Sequence, residues 1–380
     1  MTLFQEKYKR EHNHTTINTE PFVTAANAHI DRTYAQGKRI TDSFFHSVAV
    51  FLSQINIEQR NGGPFGAVIV EFEGGLDANG IGIGKPRIIG VGANHVVPNN
   101  DPSAHAEMEA YRDAAKRQGS SDLKGAVLYT SCECCPMCLS VANGSGISKI
   151  SYVNTREQAE IIEFSDKLQY DMFGLSRDQQ MTSINSLGND EQQEVRNKLG
   201  QHGAVILDEK GTVFAYGDTD TSIDPTGIAS LNAIKSAVKK HADQQKQIGN
   251  QEPVFCLPDG FTMVCRDIPH PAGLITADWA RMLRQRDNTD PNNPALDSKT
   301  PDPARIIHIT DNYEAMAVVD KHGHSHVHQK PEITNKQPSL PDTERAVRTE
   351  RFSGRVILSA AADVFANWKR GTTAGDQVRY

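Results

Sequence analysis

The chain has 380 residues, 38% of them apolar, and a formal net charge of −7. That length suffices for two domains that each bury a core, and the negative balance supplies no global basic field to gather a phosphate backbone, so large nucleic acid is a disfavoured partner. The start, Met1-Thr2-Leu3-Phe4-Gln5-Glu6-Lys7, has no basic segment leading into an apolar one, and no apolar run approaches about eighteen residues; a soluble, unexported, cytoplasmic protein without a membrane partner is expected.

Residues 1–40 read as a polar extension with scattered His and Thr. A helix is predicted from Thr41, because Phe44, Phe45, Val48, Phe51 and Leu52 recur at helical spacing behind a polar first turn, and Gly62-Gly63-Pro64 ends it. Residues 66–70 read as a buried strand and 87–91 as its neighbour, with the Gly-rich stretch 74–85 as a long hairpin tip. Asp101-Pro102 predicts a helix start, Asp as N-cap and Pro in the first helical position, running to about Arg117. A strand over 125–130 leads into a cysteine cluster, Pro136 opens a second helix, and 147–153 supplies another strand. Strands alternating with helices imply an α/β sheet covered on both faces.

His105, Ala106 and Glu107 are followed about 25 residues later by Cys132-Glu133-Cys134-Cys135-Pro136-Met137-Cys138. Four of the six cysteines lie in this stretch, a clustering that suits metal binding in a reducing compartment better than a disulfide framework. A structural zinc is closed by four protein ligands, whereas a hydrolytic zinc takes three and leaves the fourth place to water. One imidazole and two thiolates supply three, and Glu107 is left over to move protons. The opening of a helix at Pro136 puts Cys135 and Cys138 where the helix dipole favours thiolates. Spacing alone leaves two C-x-x-C pairs, Cys132 with Cys135 and Cys135 with Cys138, and Cys134 stands close enough to compete. Nor does spacing bring His105 and Glu107 together, since residues two apart lie on different helix faces.

The second half echoes the first. Gly63-Pro64-Phe65-Gly66-Ala67-Val68-Ile69-Val70 returns as Gly200-Gln201-His202-Gly203-Ala204-Val205-Ile206-Leu207, and Asp101-Pro102 returns as Asp224-Pro225, separations of 137 (63 to 200) and 123 (101 to 224). Ile228 then stands where His105 was and Ser230 where Glu107 was, while Cys256 and Cys265 do not keep the C-x-x-C spacing. One fold is therefore expected twice, an intact copy over 41–195 and a degenerate one over 196–380. Within the latter, 286–303 reads as an Asp-, Asn- and Pro-rich insertion, 304–320 as two strands and 356–369 as a closing helix. The tract His322-Gly323-His324-Ser325-His326-Val327-His328 is read as a solvated loop rather than a metal site.

Three segments carry a resemblance: Gly62 to Val70, Asn99-Asn100-Asp101-Pro102-Ser103-Ala104-His105-Ala106-Glu107, and Leu128-Tyr129-Thr130-Ser131-Cys132-Glu133 with Cys135-Pro136-Met137-Cys138. They resemble the cytidine deaminase-like superfamily, and more narrowly they are similar to bacterial guanine deaminases. The resemblance implies a three-layer α-β-α fold and zinc-dependent hydrolytic deamination of a purine base, best fitted by guanine going to xanthine and ammonia. It implies one zinc per chain, in the first copy, on His105, Cys135 and Cys138, with Glu107 as proton carrier. By the same resemblance Asp166, in Phe164-Ser165-Asp166, assists proton transfer near the amino group, and Asn94, Phe65 and Ala106 lie against the base. One departure stands out: the family's proline before the first ligand cysteine is Cys134 here. Tyr380 is similar to the C-terminal tyrosine with which guanine deaminases close a neighbouring site. The readings that compete are deamination of another nucleobase or nucleoside, deamination of tRNA adenosine, which would require a basic groove, and a non-catalytic scaffold. The degenerate copy is expected to pack as an internal pseudo-partner in place of a homodimer mate, further oligomerisation being left open.

Overall fold

The computed structural model describes residues 19–167, 169–170, 181–200, 202–250, 252–258, 260–286, 306–309, 317–319, 325–327 and 347–373. Two helices lead into the first sheet, α1 (Thr19–Ala35) and α2 (Asp42–Glu58). Then come β1 (Gly66–Phe72), β2 (Pro86–Ala93), α3 (Ala106–Gln118), β3 (Val127–Cys132), α4 (Pro136–Gly144), β4 (Lys149–Asn154) and α5 (Arg156–Ile161). The second half holds β5 (Thr182–Ser183), α6 (Asn189–Leu199), β6 (Ala204–Leu207), β7 (Val213–Gly217), α7 (Ala229–Gln247), β8 (Thr262–Cys265), α8 (Pro271–Arg286) and β9 (Ile306–His308). A short hairpin of β10 (Ala317–Val319) and β11 (Ser325–Val327), then β12 (Arg348–Arg351) and α9 (Arg355–Thr373), follow among the described residues.

The first sheet has the order β12-β4-β3-β1-β2 and the second β5-β9-β8-β6-β7. β1 pairs antiparallel with β2 and β3, as β6 does with β7 and β8, and the remaining pairings in each sheet are parallel. Even the irregularities correspond: β1 slips register against β2 between Ile69 and Val70, and β6 slips against β7 between Ile206 and Leu207. The edge strands do not follow the chain. β5, on the N-terminal side of the expected division at 195/196, pairs with β9 of the second sheet, and β12, on its far side, pairs with β4 of the first.

Glycine sets how closely the helices approach these sheets. A Cβ on Gly92 would stand 2.1 Å from the Ala106 carbonyl oxygen, and one on Gly217 would stand 2.2 Å from that of Ala229. The N-terminus of α3, and with it His105 and Glu107, can therefore lie directly on β2. Helices α3, α4, α7 and α8 then share one apolar cluster, running from Ile69 and Leu128 through Met108, Met137 and Val141 to Leu231, Ile275 and Ile206. On the other face of the first sheet α1 and α2 pack Phe22, Ile30, Phe45 and Phe51 against Val68 and Tyr129.

One reading is filled in and one is corrected. The polar extension over 1–40 contains a helix: 19–35 form α1, which buries Phe22, Val23, Ala26 and Ile30, while Asn27 exchanges two 2.9 Å hydrogen bonds with the backbone of Ile88. Those apolar residues do have helical spacing, but Thr, Asn and His between them dilute the pattern. The helix predicted from Asp101 begins only at Ala106. Asp101 Oδ1 instead accepts the backbone N–H (2.9 Å) and hydroxyl (2.6 Å) of Ser103, closing a local turn that competes with helix.

Candidate active site

The late start of α3 is what makes the site. His105 is the N-cap, with extended backbone (φ −68°, ψ 159°), so its imidazole leaves the chain in a direction no helical residue would take. Glu107, inside the first turn, can then face the same point. Cys135 occupies the equivalent place before α4 (φ −68°, ψ 164°), Pro136 fixes the first helical position, and Cys138 follows on the first turn. His105 Nδ1 lies 3.5 Å from Cys135 Sγ and 3.7 Å from Cys138 Sγ, and the two sulfurs are 3.5 Å apart.

That triangle fits zinc. With Zn–S of about 2.3 Å and Zn–N of about 2.0 Å, tetrahedral angles separate the donors by roughly 3.5–3.8 Å. Among the described residues these three form the one group of His, Cys, Asp or Glu side chains able to hold a metal ion. Burial opposes ionisation of Cys135, but Cys138 and His105 beside it outweigh that and hold its pKa well below the usual thiol value, while burial and the Cys135 charge push Cys138 well up. A divalent cation relieves both. Cys132 and Cys134, also buried, are pushed well up with no such relief, so they stay thiols. The choice between C-x-x-C pairs is thus made by placement: the Cys132 thiol faces the Thr155 carbonyl at 3.7 Å, away from the triangle.

Glu107 is 5% exposed. Its Oε1 accepts the Thr130 hydroxyl at 2.7 Å, and its Oε2 lies 3.5 Å from Cys138 Sγ. Burial raises its pKa against the pull of that hydroxyl, which favours a carboxyl able to carry a proton. Asp166, 9% exposed, is pushed up to about 7, by burial first and the Cys135 charge second. Both acids open on a cavity of about 680 Å³, solvent at its mouth included, whose wall also includes Phe65, Asn94, Ala106 and Trp279. Every residue singled out in the sequence for the base or the proton therefore borders the same space. Asn94 Oδ1 faces the backbone N–H groups of Gly63 and Val96, each at 3.4 Å, and Phe65 meets Phe164 and Phe365 edge to face.

Three features escaped the sequence reading. Arg156 borders the cavity with its guanidinium 4.6 Å above the Tyr170 ring, and the Tyr170 hydroxyl donates to the Cys134 carbonyl at 2.9 Å. Half-buried Arg112 donates to Ser103 Oγ and Glu109, and its Nε donates to Thr226 Oγ1 at 2.9 Å, tying the loop that presents His105 to the second half. Trp279 arrives from α8, with its ring centroid 5.5 Å from that of His105 and the planes at 72°. None had a local signal, because each depends on a partner distant in sequence. Tyr380 and most of the His322–His328 tract lie outside the described residues, and nothing is described of the side chains in β11.

Residues 39–154 match the family model described as the cytidine and deoxycytidylate deaminase zinc-binding region. The chain is 38% identical over 122 residues to the guanine deaminase of Bacillus subtilis, a match spanning 32% of this chain and 70% of that protein. It is 35% identical over 112 residues to a tRNA-specific adenosine deaminase of Buchnera aphidicola, over 30% of this chain and 60% of the relative. Among solved structures, the X-ray structure of the Bacillus subtilis guanine deaminase is similar at 35% identity and a TM-score of 0.32, over 36% of this chain and 79% of that one. The chain belongs to the cytidine and deoxycytidylate deaminase-like family. It is a zinc-dependent hydrolytic deaminase of the nucleobase and tRNA-adenosine branch, with the metal site in its first half. Among the described residues no helix is long and apolar enough to cross a membrane.

Proposed function

We propose that the chain deaminates a free purine base, guanine first, to xanthine and ammonia. The observation that carries this reading is the placement of two proton-carrying acids, Glu107 and Asp166, on one small cavity beside the donor triangle. His105, Cys135 and Cys138 would hold a zinc ion, which would supply the acidification of water, from about 15.7 to roughly 7, that hydrolysis at neutral pH requires. Glu107 carries one proton of the attacking water to a ring nitrogen and, after addition, carries the second from the new hydroxyl to the departing amine. The water oxygen ends on the amino-bearing ring carbon, the carbon–nitrogen bond breaks, and the amino group leaves as ammonia. Asp166, its carboxyl pushed up to about 7 by burial first, can exchange a proton with the leaving amine from the same wall. Asn94, its Oδ1 facing the Gly63 and Val96 N–H groups, would offer its Nδ2 donors to a purine edge, and Phe65 and Ala106 close the apolar side.

The second half suits the part of a partner subunit carried in the same chain, in support of the expected pseudo-dimer. It sends Trp279 to the cavity, and the C-terminal helix α9 sets Phe365 against Phe65 and Trp368 against Phe164. Similarity to guanine deaminase favours guanine over tRNA, and Arg156 is the one cationic side chain among the described cavity walls, which falls short of a basic groove. Ammonia release from guanine, guanosine, adenine, cytosine and tRNA tests the reading. Guanine is expected to turn over fastest, and an enzyme inert towards guanine but active on tRNA would sink it.

A further inference from the structure

Helix α8 lies on α4, the helix that carries Cys138. Thr276 Oγ1 stands 3.1 Å from Met137 Sδ, and Gln169 Nε2 donates to Asp278 at 3.0 Å. This packing delivers Trp279 to the edge of His105 and into the cavity wall beside Asn94, Glu107 and Asp166. The residue is 7% exposed, and its Nε1–H is buried with no acceptor among the described residues. An indole N–H can only donate, and buried tryptophans usually find it a partner, because a buried donor left unpaired is costly. Counted eight residues on from the proline that opens each helix, the same position in the first half is Gly144. The large donor-bearing side chain therefore stands only where it faces the intact triangle.

We infer that Trp279 is a specificity-determining residue of the deaminase site, lent by the half whose described residues form no group able to hold a metal. Its N–H donates to an acceptor on the edge of the flat heterocycle, a carbonyl oxygen or an unprotonated ring nitrogen, and its ring limits the space beyond that edge. The inference rests on the deaminase reading above and adds the residue that selects a bare base over a ribosylated one.

The chain has two tryptophans, so a Trp368→Phe background leaves Trp279 as its sole indole. In zinc-loaded Glu107→Gln protein of that background, titration with guanine is expected to shift Trp279 emission saturably. In kinetics, Trp279→Phe keeps the ring and loses the donor: KM for guanine should rise about 3- to 10-fold with kcat within about threefold, the worth of one hydrogen bond. Trp279→Leu opens the wall, so turnover of guanosine relative to guanine should rise at least about tenfold. Zinc content and melting temperature are measured on every variant. Unchanged KM and unchanged guanosine-to-guanine ratio, with or without a lower melting temperature, would make Trp279 a packing residue and overturn the inference while guanine turnover leaves the deaminase reading standing. Parent protein that neither binds nor deaminates any base removes the ground for both.

Discussion

The same corner of two similar sheets can be compared residue by residue. In the first half the helix after β2 is capped by His105 and carries Glu107, and the helix after β3 is introduced by Cys135 and carries Cys138. In the second half the corresponding places hold Ile228, Ser230, His270 and Gly273. There the space is filled: a Cβ added to Gly273 would stand 1.8 Å from Ser230 Oγ, and buried His270 is pushed down to about 4 by burial, so it stays neutral at physiological pH. The same strand order thus ends in a triangle of metal donors on one side and in packed side chains on the other. Strand order and helix position build the corner, and four side chains decide whether it does chemistry.

Copying the second half into the first is the strongest way to break that contrast. Cys138→Gly is expected to abolish zinc retention and turnover together. Glu107→Ser should keep stoichiometric zinc and lower kcat by about 10²- to 10⁴-fold, the usual contribution of a positioned acid or base. Metal analysis beside kinetics separates the two, and a Glu107→Ser enzyme of undiminished rate would remove Glu107 from the mechanism. Working in the other direction, Gly273→Ala overfills the packed corner. A loss of about 1–3 kcal/mol in stability is expected in denaturant melts, and an unchanged midpoint would mean that the Ser230–Gly273 contact is not tight.

The smallest effect concerns pH. The Asp166 pKa is raised from the carboxylate value of 3.8 to about 7, so the folded protein binds this proton more tightly than the unfolded chain. The resulting stabilisation is fully present below the unfolded value and is lost as pH rises through about 7. The melting temperature of the parent should fall between pH 4 and pH 8 more steeply than that of Asp166→Asn. Zinc, by neutralising the Cys135 charge, should move the fall to lower pH. Parallel curves for the two proteins would contradict this assignment.

Legibility followed the range of the interactions. The apolar runs that became β1, β3 and β4 and the helical spacing of Phe44, Phe45, Val48, Phe51 and Leu52 were plain in the sequence, since they are local patterns. So was the presence of C-x-x-C pairs, although spacing did not choose Cys135 with Cys138 over Cys132 with Cys135. The meeting of His105 and Glu107 was not, because it depends on the Asp101–Ser103 turn outcompeting one more turn of helix. In the second half, Ile228 and Ser230 were recognised by echo, but His270 and Gly273 passed unnoticed although Pro271 marks them as Pro136 marks Cys135.

By itself the sequence determined the donor types, their spacing and the alternation of strands and helices, all of which depend on neighbours a few positions away. The tertiary structure alone decided which edge strand closes each sheet, which helix covers the metal corner, and that an indole from α8 reaches His105. Such contacts join residues more than a hundred positions apart. They are selected by burial of the shared cluster between α3, α4, α7 and α8, a free energy that belongs to the assembled chain and to no single segment of it.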